Sequence, residues 1–268
     1  KFKSEKQRKV KKQLNFEEKS TNFLSFDKLI YHPEKLSGFK IDKNIFPITA
    51  TLSLGNYCNH GCLWCSTAYW RQDDSNSMDF NKITKWLLEA KKRGLKGVGY
   101  VGNGEPLAYK KFLSLIQEVN KIGLDQGVFT NGFLINRFED ELLNSFTYIR
   151  ISLDAGSKEV HSSLHDVSSS HFDKIISNLK SLILKRKDKY PTVGVQFATH
   201  QRNISDLEKC VQICSEIGID YVSVKPVFDR GSVNEKIEKN NLNSNQVSKI
   251  VENLKKYESD SFKIFFRE

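Results

Sequence analysis

The sequence is short of the features that would place it in a membrane, in an oxidising compartment or in a repeat architecture. No apolar run approaches the eighteen or so residues that a membrane-spanning helix needs, so no helical span is expected. No secretory leader pattern opens the chain, and the five cysteines are read as reduced thiols in a cytoplasmic protein. No second C-x2-C hook accompanies the one cysteine cluster, which argues against the common paired-hook zinc modules. No internal repeat is found beyond an alternation of strands and helices.

What is present suits one globular catalytic domain. The 268 residues are 38% hydrophobic, with three Trp, nine Tyr and eighteen Phe to fill a core. The formal charge of +10 invites a nucleic-acid partner. Much of the excess sits in Lys and Arg at positions 1, 3, 6, 8, 9, 11 and 12, which reads first as a solvated tail. Nucleic acid stays open as a partner but is not favoured.

Three of the five cysteines fall in Cys58-Asn59-His60-Gly61-Cys62-Leu63-Trp64-Cys65. Thiolates this close select soft metal centres, namely iron–sulfur clusters, zinc or copper(I), and a glycine-containing loop can bend to bring them to one centre. The C-x3-C-x2-C spacing leaves one coordination position for a small-molecule ligand. Iron–sulfur ligation is preferred over a Cys3His zinc site completed by His60, and over a disulfide or redox dithiol.

Residues 1–47 read as a basic extension and an apolar lead-in, broken at His32-Pro33. From residue 48 the chain alternates. Strands are expected at Ile48–Leu54, Gly97–Val101, Gln126–Thr130, Tyr148–Leu153, Val193–Ala198 and Tyr221–Val227. Between them, apolar residues recur at helical spacing: Ile83, Trp86, Leu87 and Ala90; Phe112, Leu115, Ile116 and Val119; Phe138, Leu142, Leu143 and Phe146; Phe172, Ile175, Ile176 and Leu179; Leu207, Cys210, Val211 and Cys214. Val247, Ile250, Val251 and Leu254 mark a last helix. Six strand–helix units imply an α/β fold with a parallel sheet and right-handed crossovers, either doubly wound or a partial barrel. The chemically interesting segments all follow strand carboxyl ends, which leans toward the barrel. The core is expected over 48–257, and 258–268 as an extended segment, read as the possible start of a further domain.

The cysteine motif, with Trp64 just before its last cysteine, resembles the signature of the radical S-adenosylmethionine (SAM) enzymes. That resemblance implies a (β/α)6 partial TIM barrel and a 4Fe-4S cluster held by Cys58, Cys62 and Cys65, with SAM on the fourth iron. Gly102-Asn103-Gly104-Glu105-Pro106 after the second strand resembles the family's GGE-type motif, which holds the SAM amino group, with Asn103 in place of a more usual glycine. With Tyr31-His32-Pro33-Glu34, Thr130-Asn131-Gly132, Arg150 to Gly156 and Lys225-Pro226-Val227, the succession is similar to the MoaA/PqqE-type branch. Members of that branch modify peptides, sugars and small cofactors, and many carry a cysteine-rich auxiliary-cluster domain that is not found here.

The resemblance further implies SAM contacts from Asn131, Ser152 and Asp154, whose polar side chains also suit turns and caps. His200, Asn203 and Lys225 are candidates to meet adenine, ribose or substrate, and His200 and Lys225, with Asp229 and Arg230 beyond, are the candidates for catalytic contacts. His161 and His165 stand at i, i+4, but no third ligand is visible nearby, so surface or substrate-contact roles are expected rather than metal. Cys210 and Cys214 share an apolar stripe and are expected in the core. A basic face would steer an acidic electron carrier such as a flavodoxin or ferredoxin. The expected activity is reductive SAM cleavage to a 5′-deoxyadenosyl radical that abstracts hydrogen from a peptide or sugar-like small molecule. The alternatives are a radical SAM RNA-modifying enzyme and a zinc-stabilised nucleic-acid-binding module.

Overall fold

The structure is a computed structural model that describes residues 32, 33, 35, 37, 38, 45–68, 77–227 and 238–267. The basic run Lys1 to Lys12, most of the apolar lead-in, and Asp229 and Arg230 lie outside the described residues. The chain divides into two units, Lys1–Phe46 and Pro47–Glu268. In the first, Lys35 donates from Nζ to the Phe46 carbonyl (3.0 Å).

The second unit carries the sheet. Among the described residues seven strands run β1 (Thr49–Leu52), β2 (Gly97–Tyr100), β3 (Asp125–Thr130), β4 (Phe146–Ser152), β5 (Thr192–Thr199), β6 (Tyr221–Pro226) and β7 (Lys263–Phe266). They pair in sequential order and every pair is parallel. Each return passes through helix: α1 (Phe80–Lys92), α2 (Phe112–Ile122), α3 (Glu139–Ser145), α4 (Lys158–His165) with α5 (Ser170–Lys185), α6 (Leu207–Ile217) and α7 (Ser244–Leu254). Sequential parallel order with β1 and β7 as open edges is a partial TIM barrel. No helix among the described residues is long and apolar enough to cross a membrane.

Alternation along the strands sorts the core. Val128, Ile149, Ile151, Val195, Phe197, Val222 and Val224 are fully buried. The opposite set includes Phe129, Tyr148, Arg150 and Tyr221, with the Arg150 guanidinium 4.5 Å from the Phe129 ring centre and its Nε donating to Tyr221 Oη (3.2 Å). Tyr148 fits only because its partner on β3 is Gly127, where a Cβ would overlap the ring.

Local chemistry sets the helix ends. Asp79 caps α1 by accepting from Lys82 N (2.9 Å), and Asn243 with Gln246 forms a reciprocal capping box on α7. Gly123 closes α2 at φ 80° and Gly218 closes α6 at φ 87°, in the left-handed region where glycine is unhindered.

Two expectations are corrected. Trp86 was placed on the buried stripe of α1 but is 46% exposed, because Ile83, Leu87 and Ala90 already fill the sheet-facing side. Phe146 was placed on a helix but opens β4, where its ring meets Tyr100 and Phe112. The segment expected to be extended near the chain's end does run extended, as the seventh strand, with Ile264 buried and Lys263 N donating to the Asp220 carbonyl (3.0 Å).

Candidate cofactor site

The cysteine loop leaves β1 at its carboxyl end and is held by backbone rather than by side chains. Gly61 N donates to the His165 carbonyl (2.7 Å) and Leu63 N to the Leu164 carbonyl (2.9 Å), so the last turn of α4 grips the loop on both sides of Cys62. All three thiols, Cys58, Cys62 and Cys65, are half-buried and unpaired by disulfides. Such thiols form a donor set for a soft metal centre, which fits an iron–sulfur cluster.

The loop is joined to the segment after β2. Cys65 Sγ lies 3.2 Å from Thr67 Oγ1, which donates to the Asn103 carbonyl (2.9 Å). Asn103 N donates to Ser53 Oγ (3.1 Å) and Asn103 Nδ2 to Asn56 Oδ1 (3.3 Å). Gly104 admits no side chain, since a Cβ there would overlap the Tyr57 carbonyl oxygen, and one on Gly102 would overlap Ser53. The glycines therefore let this segment press against the start of the cysteine loop.

Glu105 ties the next strand in. Its backbone N donates to the Tyr57 carbonyl (2.8 Å). Its buried carboxylate accepts from Thr130 Oγ1 (2.6 Å), Asn131 N (2.9 Å) and Leu107 N (3.1 Å). Burial pushes the Glu105 carboxyl upward, and those three donors pull it back. Asn131 Nδ2 donates to Asn59 Oδ1 (2.8 Å) inside the cysteine motif, while Asn131 Oδ1 accepts from Phe133 N (3.0 Å).

At the end of β4, Ser152 is half-buried beside Gln196. Asp154 sits at φ 56°, fully enclosed, and accepts from Ala198 N (2.7 Å). Burial raises its carboxyl to about 7, against the pull of the Ala198 N–H and of the Lys225 charge. Asn203 is also wholly buried, its Nδ2 bridging the Asp154 carbonyl (2.8 Å) and the Ala198 carbonyl (2.9 Å). His200 is buried with both ring nitrogens engaged: Arg202 N donates to Nδ1 (3.3 Å), and Nε2 lies 3.1 Å from the Glu238 carbonyl. Those partners match an Nε2–H tautomer. Trp64 packs against that ring, centroids 6.1 Å apart. Lys225 ends β6 half-buried.

The histidines depart most from expectation. His161 and His165 are not at the surface but fully buried on α4, rings stacked at 4.3 Å, and His60 of the cysteine loop meets them from about a hundred residues away. His165 Nδ1 lies 3.1 Å from Cys62 Sγ and 3.4 Å from His60 Nδ1, and its Nε2 lies 3.7 Å from Asp154 Oδ2. Burial, then the neighbouring imidazoles, pushes His60 down to about 3 and His165 well below its ordinary range; burial and His171 take His161 down to about 4. All three are neutral rings near pH 7. The i, i+4 pair was the sequence signal, but nothing in the sequence brings His60 to it. Ser53, Asn56 and Thr67, which knit the loops together, lie outside the C-x3-C-x2-C stretch, and Asn59 is one of its unspecified positions, so no motif singles them out.

The family model of the radical SAM superfamily matches residues 52–240. A tungsten-containing aldehyde ferredoxin oxidoreductase cofactor-modifying protein of Pyrococcus furiosus is 26% identical over 182 residues, covering 65% of this chain and 49% of that protein. The chain thus spans about half the length of that curated relative. Among solved structures, Streptococcus suis SuiB bound to S-adenosylmethionine superposes with a TM-score of 0.71 at 18% identity, over 98% of this chain and 61% of that one. SuiB bound to precursor peptide SuiA gives 0.70 at 18% identity, over 97% and 60%. TYW1 with a lysine-pyruvate adduct gives 0.60 at 15% identity, over 96% and 90%. At these identities the superpositions speak for the fold.

Proposed function

This chain belongs to the radical SAM superfamily, and we propose that it is an enzyme that uses SAM to make a carbon-centred radical and abstracts hydrogen from a peptide. The observation that carries this reading is that the loop of three half-exposed thiols is joined, through Cys65 and Thr67, to the Gly102–Glu105 segment at the carboxyl end of the adjacent strand. When bound, the 4Fe-4S cluster and SAM supply one-electron cleavage of a sulfonium carbon–sulfur bond to methionine and a 5′-deoxyadenosyl radical. Cys58, Cys62 and Cys65 hold the cluster. Gly102 and Gly104 are assigned to the methionine end of SAM, with Asn103, whose N–H and carbonyl already meet Ser53 and Thr67, fixing the segment between them and Glu105 anchoring it to β3. Half-buried Ser152 is assigned to the same mouth, Asn131 and the enclosed Asp154 support it from behind, and Trp64 with the buried His200 walls it against water. Lys225, near the end of β6, is proposed for substrate contact, and Asp229 and Arg230, which lie outside the described residues, keep that proposed role from the sequence alone.

A peptide is proposed because the fold is similar to one solved with a precursor peptide bound. An acidic flavodoxin or ferredoxin is the proposed electron donor, suited to the basic chain. Anaerobic reconstitution tests the core of this reading. A brown protein with about four iron per chain that forms 5′-deoxyadenosine from SAM and reductant supports it. A colourless protein holding zinc on the three cysteines sinks it. Deuterium transfer into 5′-deoxyadenosine from a labelled peptide, against a labelled sugar or an RNA, then decides the substrate class.

A further inference from the structure

Four of the chain's six histidines gather behind the cysteine loop, and the thiol chemistry does not account for them. His60, His161 and His165 each offer a ring nitrogen within 4.8 Å of the other two, and all three side chains are buried. Neither ring nitrogen of His161 has a hydrogen-bond partner among the described residues, nor has His165 Nε2. Buried polar nitrogens left in this way cost stability unless a ligand takes them.

We propose that His60, His161 and His165 form a second metal site, one that binds a zinc-like divalent cation through three imidazoles beside the cysteine loop. Imidazole nitrogen suits zinc, and three protein ligands with an open fourth position is a common zinc arrangement. A tetrahedral site with metal–nitrogen bonds of about 2.0–2.1 Å sets its ligands about 3.3–3.4 Å apart. The His60 Nδ1 to His165 Nδ1 separation is already 3.4 Å, so these two atoms form one edge. Binding then asks His161, on the same helix face as His165, to close the remaining distance. Of the outward nitrogens, that of His60 has its partner in place, and that of His165 has a carboxylate just beyond hydrogen-bond reach, toward which it would move on binding. His60 Nε2 lies 3.3 Å from His171 Nδ1, and His165 Nε2 faces Asp154 Oδ2 at 3.7 Å. His171 is half-exposed, stacked on Phe133 at 4.0 Å, and stands where a cation would enter. Cys62 Sγ, 3.1 Å from His165 Nδ1, marks where this site adjoins the cysteines. A bound cation would pin the end of α4 to the loop it already grips through Gly61 and Leu63.

Metal content distinguishes this site from the cluster. The full chain is loaded anaerobically with iron and sulfide, given one equivalent of Zn2+, freed of loose metal, and its iron and zinc are counted. The expected result is one zinc per chain in addition to the cluster iron. His161→Ala should keep the iron and lose the zinc under the same dialysis, and His171→Ala should weaken zinc about 10- to 100-fold while keeping both metals countable at saturation. Zinc retained by His161→Ala, or zinc that leaves only when Cys58, Cys62 and Cys65 are all changed to Ala, overturns the proposal. Because His161 is fully enclosed, the unsubstituted chain gives a second measurement: Zn2+ should raise its Tm at constant iron content, and no rise overturns the site. Failure to load iron at all would instead count against the radical SAM reading.

Discussion

Cys58, Cys62 and Cys65 lie half-exposed on a loop at the barrel mouth, whereas Cys210 and Cys214 are wholly buried on the sheet-facing side of α6. The side chain is the same and the chemistry is opposite. On the loop, each thiol can lose its proton to a metal. On α6, the contact with Cys214 and then burial push the Cys210 thiol well above its ordinary range, with the Asp154 and Asp206 charges adding to it. A buried thiol of that kind behaves as a small apolar group. The comparison teaches that spacing assigns thiols to a centre only where the backbone also leaves them partly open.

The largest expected effect separates the two sets outright. Cys58→Ala, Cys62→Ala or Cys65→Ala should each reduce cluster iron and 5′-deoxyadenosine formation to background, while Cys210→Ala and Cys214→Ala leave the iron count unchanged. An α6 variant that loses iron would break the comparison. Next in size is the tie that holds the mouth together. Glu105→Ala strips the acceptor from Thr130 Oγ1, Asn131 N and Leu107 N at once. At about 1–3 kcal/mol for each buried donor left unmade, the loss should be at least about 3 kcal/mol in denaturant unfolding. Glu105→Gln, which keeps an acceptor oxygen, should cost less.

Asp154 supplies a pH signature on the helix side of the comparison. Its carboxyl is at about 7 when folded and 3.8 when free. Below pH 4 both states hold the proton and nothing is lost. As pH rises toward 7 the unfolded chain ionises while the folded one does not, so stability falls across that window and levels off above it. Unfolding of the cluster-free chain should show this decline, and Asp154→Asn should flatten it. A slope unchanged in the variant would assign the effect elsewhere. The smallest effect sharpens the contrast again: Cys214→Ala should cost about 1 kcal/mol of packing. Alkylation of the cluster-free chain should modify three thiols when native and all five only in denaturant.

Much of the barrel was legible because its strands and helices are each specified by local periodicity. The stripes Phe112, Leu115, Ile116, Val119 and Leu207, Cys210, Val211, Cys214 are fully buried as read. Phe146 was misassigned because a residue that ends one period and starts the next fits both patterns. Trp86 was misassigned because three smaller residues suffice on its helix face. The segment holding β7 was readable as extended, but not as a member of this sheet, because only the paired edge of β6 gives it a place there. At the site, glycines and cysteines were readable because few conformations and few metals accept them. The partners of Glu105 and His200 were not, since a carboxylate or an imidazole in a sequence does not say which backbone groups will meet it.

The sequence by itself determined the alternation of strands and helices, the thiol triad and the glycine segment, because these rest on spacing within a few turns of chain. Only the tertiary structure decided that Asn59 meets Asn131, that Asp154 is sealed against Ala198, and that His60 joins His161 and His165. Those encounters span roughly forty to a hundred residues. They follow from parallel strands delivering distant loops to one end of the barrel, which no local pattern encodes.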